Sequence, residues 1–281
     1  MEGGRVWRRF RRNPLALAGA LLIVLLLLFS LICPFLLPYD ATRIELHNTF
    51  QPPGVFPHIL GTDDLGRDMV ARLSYGGRIS LAVGLCVALG SAIVGALLGS
   101  VAGLYGGYVD TLISRVIDIL LSIPLLPLLM VISGFVNVGP LELIAAMVLL
   151  GWMGVARLTR GAVLSLRDSE FVTAARAVGS GNGRIIIRHL LPNVLAPLTV
   201  ATTLAVAWAI LIESAMSYLG FGIQPPTPTW GNMLQGAQRY MRTAPWLAVL
   251  PGILIALTVT SFNFVGDGIR ESMDPKLVGR L

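Results

Sequence analysis

A chain of 281 residues that is 55% apolar and only 13% charged is not an ordinary soluble domain, which carries roughly 25% charged residues. Its formal charge of +6 is carried by arginine, with Lys276 the only lysine, which argues against a nucleic-acid-binding face. The two cysteines, Cys33 and Cys86, lie in separate apolar stretches and offer neither a disulfide framework nor metal-ligand spacing.

A spanning helix needs about 20 mostly apolar residues. The first candidate, residues 14–38, follows Arg5, Arg8, Arg9, Arg11 and Arg12. Its apolar run is longer than a signal peptide's and no small-x-small cleavage site follows, so an uncleaved first helix is expected. Five further spans are expected over residues 79–104, 112–135, 141–155, 194–219 and 246–265. The corresponding organisation is a basic tail (1–14), a first transmembrane helix (15–37), an extracytoplasmic loop (38–78), a five-helix core (79–266) and a C-terminal tail (267–281). Sorting the basic residues with the N-terminus inside puts fourteen on the cytoplasmic side and six outside. The arginine and lysine bias toward the cytoplasm therefore predicts that both termini are cytoplasmic.

Between the first two spans stands Gly61-Thr62-Asp63-Asp64-Leu65-Gly66-Arg67-Asp68, followed by Arg72, Gly77 and Arg78. This is a glycine-punctuated turn with three carboxylates near two arginines. A calcium loop wants alternating ligands and a distant bidentate Glu, which this spacing lacks, so no metal site is expected. In the second span Ser91, Gly95, Gly99 and Gly103, with Gly107 beyond it, recur at every fourth position, a stripe along which helices pack closely. Pro124 and Pro127 are expected to kink the third span, and Arg115 and Asp118, three apart, to pair on one helix face.

The large inner loop, residues 158–193, contains DSEFVTAARAVGSGNGRIIIRHLLPN from Asp168 onward. Asp168 or Ser169 can cap a helix with Glu170 in its first turn, and Gly179 can end it in the left-handed conformation. Ser180 or Asn182 can start a second short helix, and Pro192 marks entry into the next span. The glycines do not form a dinucleotide loop, and the lone lysine cannot serve a phosphate loop, so this chain has no ATP site of its own. Glu213 sits well inside the fifth span and reads either as a pore or gate residue or as a structural partner to another helix. The last outer loop carries Pro225, Pro226 and Pro228 before Trp230 and reads as a stiff surface segment.

The inner loop resembles that of ABC importer permeases, whose pattern is Glu-Ala-Ala, three residues, Gly, nine residues, Ile-x-Leu-Pro. Ala174, Ala175, Gly179, Leu191 and Pro192 match it, while Thr173 replaces Glu and His189 replaces Ile. The segment from Gly61 to Asp68, Asp118 with Ser122 and Pro124, Trp230-Gly231 with Met233-Leu234, and the tail Asn263, Gly266-Asp267, Arg270 and Asp274-Pro275 resemble the second permease of the oligopeptide, dipeptide and nickel importers. The resemblance implies an all-α membrane protein with six transmembrane helices and a type I importer permease fold in a prokaryotic inner membrane. It implies a second permease subunit, two ATP-binding subunits holding ATP and magnesium, and an extracytoplasmic binding protein. It also implies that Glu170, Phe171, Thr173, Ala174, Ala175, Gly179, Arg184 and Pro192 couple to the ATP-binding subunit. Gly61, Thr62, Asp63, Gly66, Arg67, Asp68 and Trp230 would then stand on the binding-protein side. Short peptides are the implied substrate, with nickel chelates as the rival. No catalytic residue is expected: the histidines are scattered, and no nucleophile stands with a plausible base. The poverty of buried charge and the lack of internal repeats argue against an ion-coupled transporter.

Overall fold

The computed structural model describes residues 7–135 and 139–273 and is entirely helical apart from two isolated β-bridges in the first long loop. Arg5 and the Asp274-Pro275-Lys276 segment lie outside the described residues.

Helix α1 (Pro14–Leu36) starts where Asn13 accepts the Ala16 amide and Pro14 supplies a preset first-turn φ. It is apolar on all sides, the mark of a helix whose solvent is lipid. Helix α2 (Met69–Tyr105) runs 37 residues, about 55 Å at 1.5 Å per residue, and so is longer than the roughly 30 Å core of a bilayer. It starts ten residues earlier than expected, because Asp68 caps it through the Ala71 amide. Arg72, Gly77 and Arg78 are therefore helical rather than loop residues. Gly106, at φ 64°, ends it.

The third span departs most from expectation. Helices α3 (Gly107–Leu121) and α4 (Leu125–Gly134) meet at 85°. Pro124 disfavours helical geometry at the residue before it, so the chain breaks there. Pro127 falls in the first turn of α4, where a missing N–H costs nothing, and does not interrupt it. Among the described residues five helices are long and apolar enough to cross a membrane, and α3 with α4 makes a sixth if the bent pair is one span.

Helix α5 (Pro140–Leu166) extends eleven residues beyond the expected span, so Arg160 sits on it rather than in a loop, as does Arg157, expected near the span's end. Helix α6 (Glu170–Ala177) is followed by α7 (Asn182–Ile185), a five-residue π-helical segment and α8 (Leu191–Tyr218). The expected second short helix is thus the first turn of a continuous 37-residue rod that Pro192 enters without breaking. Helix α9 (Trp230–Ala237) precedes α10 (Trp246–Met273), which absorbs the start of the expected C-terminal tail.

Helix α2 is the central post, packing along α5 and α8. Gly95, Gly99 and Gly103 face α5: a Cβ at Gly95 would stand 2.7 Å from the Trp152 carbonyl oxygen and from Val155. Gly107 leaves the stripe, since nothing lies within 4 Å of its would-be Cβ. Helix α1 is held against α10 in the same way, with Gly19 against the Ser261 carbonyl and Gly268 against Ala16, and Asn13 donates to Glu271 at 2.8 Å.

Candidate functional site: a knob, a folded loop and the posts between them

At one end of the posts, α6 and the start of the α7–α8 rod form a knob. Val172, Ala175, Ile185, Ile186 and Leu190 pack with Leu104 of α2, Val163 of α5 and Val194 of α8. This small apolar core fixes the knob to three spans at once. Ser169 occupies the cap position, but its hydroxyl donates back to the Leu166 carbonyl instead of capping. Asp168 pairs with Arg167, and Asn182, rather than Ser180, starts α7, with Gly181 at the cap position. Gly179 has φ +81°, and the Ser180 amide reaches the Ala175 carbonyl at 3.0 Å, the closure that lets a left-handed residue terminate a helix.

The knob's outer surface includes Glu170, Phe171, Thr173, Ala174, Arg176, Val178, Gly179 and Arg184, and Pro192 is exposed as well. Val178 is 83% exposed, a large apolar side chain with no cover in this chain. Ala175 departs from the expected docking set: it is buried in the knob's own core, so its smallness serves α6 packing. Its neighbour Ala174 faces out.

At the other end the segment before α2 is folded, not loose. The amides of Glu45, Phe50 and Thr62 donate to the carbonyls of Leu65, Asp63 and Gln51 at 3.0–3.1 Å. Asp63 is the hub. Its Oδ1 accepts the amides of Leu65 and Arg67, both at 2.9 Å, and its Oδ2 takes the side chains of Arg67 at 2.7 Å and Arg72 at 3.2 Å. Asp68 caps α2 through one oxygen and holds His58 Nδ1 at 2.9 Å through the other, both residues buried. Gly61 and Gly66 have φ of 78° and 73°, and a Cβ on either would drive into the backbone of Gln51 or Glu45.

Of the residues expected on the binding-protein side, Thr62, Asp63, Asp68 and Trp230 are buried. They brace this end of the molecule from within. Trp230 Nε1 donates to the Leu73 carbonyl at 2.9 Å, and Trp246 Nε1 to the Thr62 carbonyl at 3.4 Å. Thr229 and Asn232 form a reciprocal cap on α9, at 3.1 and 3.0 Å. The Thr-x-x-Asn spacing was readable as a helix start; the His58–Asp68 pair had no signal in sequence, and the cluster of carboxylates and arginines did not say that Asp63 takes Arg72.

Between the ends, Glu213 is fully buried. Ser217 donates to it at 2.9 Å and Ser80 of α2 at 3.1 Å, while Ser80 Oγ accepts the Trp230 amide at 3.3 Å. The carboxylate thus ties α8 to α2 and α9 and does not reach a surface of this chain. Of the two roles left open, this is the geometry of a partner between helices. The expected Arg115–Asp118 pair does not form: Asp118 pairs with Arg157 across helices, and Asp110 takes Arg160 in a two-point contact, at 2.6 Å through Nη2. Two carboxylates of α3 are thereby pinned to α5.

The family model for the binding-protein-dependent transport system inner membrane component matches residues 95–279. The chain belongs to that family. The N-terminal transmembrane domain of oligopeptide transport permease C matches residues 3–53. The chain is 40% identical over 271 residues to the dipeptide transport system permease protein DppC of Alkalihalophilus pseudofirmus, covering 96% of this chain and 89% of that protein. It is 37% identical over 269 residues to the oligopeptide permease OppC of Bacillus subtilis, covering 96% and 88%. It is 39% identical over 273 residues to the glutathione permease GsiD of Shigella flexneri, covering 97% and 90%. As a family member the chain is a permease of the inner membrane, and both the knob and Glu213 fall within the matched domain. The Gly61–Asp68 turn lies between the two matched ranges.

Proposed function

We propose that this chain is one of two pore-forming subunits of an ATP-driven importer of di- and oligopeptides, working with a second permease, two ATP-binding subunits and an extracytoplasmic binding protein. The observation that carries the reading is the knob. Its exposed Phe171, Val178 and Arg184 lack cover in this chain, while its core is shared with α2, α5 and α8. A partner that grips the knob therefore moves three posts together. The peptide substrate is supported by what the relatives' names record: dipeptides, di- and tripeptides, oligopeptides and glutathione.

The distribution of basic residues supports a cytoplasmic knob, both termini on the same side and the braced loop outside. ATP and magnesium then belong to the subunits under the knob. Their closure drives the knob, and the posts rock between inward-open and outward-open states. Glu213 contributes to gating through the helices it joins, α2, α8 and α9.

Affinity purification of the tagged chain in mild detergent tests the assembly. A second permease and ATP-binding subunits should co-purify, with ATPase activity stimulated by a peptide-loaded binding protein. A chain recovered alone, without ATPase, overturns the proposal. Coupling has its own test at Gly179. A would-be Cβ there meets nothing within 4 Å, so substitution strains only the backbone, by about 1–2 kcal/mol for the left-handed conformation. Gly179→Val should assemble and hydrolyse ATP yet lose most peptide uptake, whereas Gly179→Asn, which tolerates this conformation, should keep it. Normal uptake by an assembled Gly179→Val complex would sink the coupling assignment.

A further inference from the structure

The braced loop and α9 enclose a cavity of about 400 Å³, lined by Asp63, Arg67, Arg72, Gln235, Arg239 and Tyr240 among others. Its charges are unevenly matched. Asp63 holds Arg67 and Arg72, and Asp64 lies 3.8 Å from Arg67. Arg239 is exposed at the cavity and has no carboxylate partner among the described residues. No acidic residue occurs between Glu213 and Asp267, whereas Arg239 and Arg242 both fall in that stretch. The walls are rigid: Asn232 caps α9 and donates to the carbonyls of Ile223 and Thr227 at 3.1 and 2.8 Å, and the Tyr240 ring packs on Phe50 at 4.8 Å.

We infer that this cavity is a socket for an acidic side chain of the extracytoplasmic binding protein, with Arg239 as its ion-pair partner. The inference rests on the importer reading and adds a docking contact to it. A carboxylate entering the socket meets one uncommitted guanidinium, with the Gln235 amide and the Tyr240 hydroxyl on the same lining. The arginines already neutralised by Asp63 and Asp64 keep the walls folded. A preformed, braced pocket suits the protruding side chain of a folded partner, because little entropy is lost in ordering the receiving side.

The test uses the intact complex in lipid nanodiscs and the peptide-loaded binding protein that stimulates its ATPase. Arg239→Glu should weaken binding of that protein about tenfold or more at low salt, with the difference shrinking as salt rises, because a rim charge acts largely through steering and screening. Arg239→Lys should retain most affinity. Scanning the binding protein's exposed Asp and Glu to Arg should find one change that restores binding to the Arg239→Glu complex. Wild-type melting temperature in the variants keeps misfolding apart from lost docking. Equal affinity of wild type and Arg239→Glu at every salt concentration overturns the socket. So does unchanged affinity with a raised KM for peptide uptake, which would assign the cavity to the substrate's own carboxylate. A wild-type complex that binds no binding protein would instead overturn the importer reading.

Discussion

Asp63→Ala is expected to lower the stability of the purified protein by about 3–5 kcal/mol, the cost of leaving one member of a buried ion pair without its partner. Arg72 is 7% exposed and sits on the first turns of α2. Besides Asp63, its one hydrogen bond among the described residues is a long one, 3.4 Å, to the Ala41 carbonyl. Without the carboxylate, a guanidinium stays buried and the amides of Leu65 and Arg67 lose their acceptor as well. The loop that these bonds close also carries the carbonyl receiving Trp246 and the cap of α2, so the damage should spread to α2 and α10. Thermal unfolding in detergent, followed by tryptophan fluorescence, measures it. Asp63→Asn, which keeps an oxygen for the amides but loses the charge, should fall between wild type and Ala. A melting temperature for Asp63→Ala equal to that of wild type would show that the loop is held by something else.

Gly99→Val is expected to cost roughly 3 kcal/mol through overpacking and to reduce the yield of folded protein sharply. A Cβ at this position would press into the Ala156 carbonyl oxygen and stand 2.8 Å from Thr159 Cβ. Neither atom is the end of a flexible side chain, so relief requires α2 and α5 to move apart along their whole seam, and the contacts of Gly95 and Gly103 would open with it. Gly161 of α5 is the internal control. Nothing lies within 4 Å of its would-be Cβ, so Gly161→Ala in the isolated chain should raise helix stability by about 0.5–1 kcal/mol, the ordinary gain over glycine. Size-exclusion profiles and melting curves of both variants decide the matter. If Gly99→Val melts like wild type, the seam is looser than its geometry implies.

Much of this protein is determined by local sequence. Apolar runs fix the spans because a bilayer leaves no backbone polar group unsatisfied except outside its core. Asn13-Pro14, Gly106, Gly179 and Pro124 place helix starts, ends and the break between α3 and α4 through constraints each residue imposes on its own neighbourhood. The glycine stripe on α2 was legible for the same reason, as a four-residue period on one helix. The bend of 85° itself was not, since a proline breaks a helix without dictating the direction of the next one.

What only the tertiary structure decided is which side chains meet. Asp118 turned to Arg157 of α5, 39 residues away, rather than to Arg115 on its own helix, because a neighbouring helix offered a cation at the right height. Ala174 and Ala175 are alike in sequence, yet one faces out and the other fills the knob's core, and the packing of α6 on Ile185, Ile186 and Leu190 makes that distinction. The buried His58–Asp68 and Asp63–Arg72 pairs and the hydroxyl cage around Glu213 join residues separated by up to 133 positions. Charges placed in an apolar environment must find partners wherever the fold brings them, and helical periodicity carries no information about contacts that far apart in the chain.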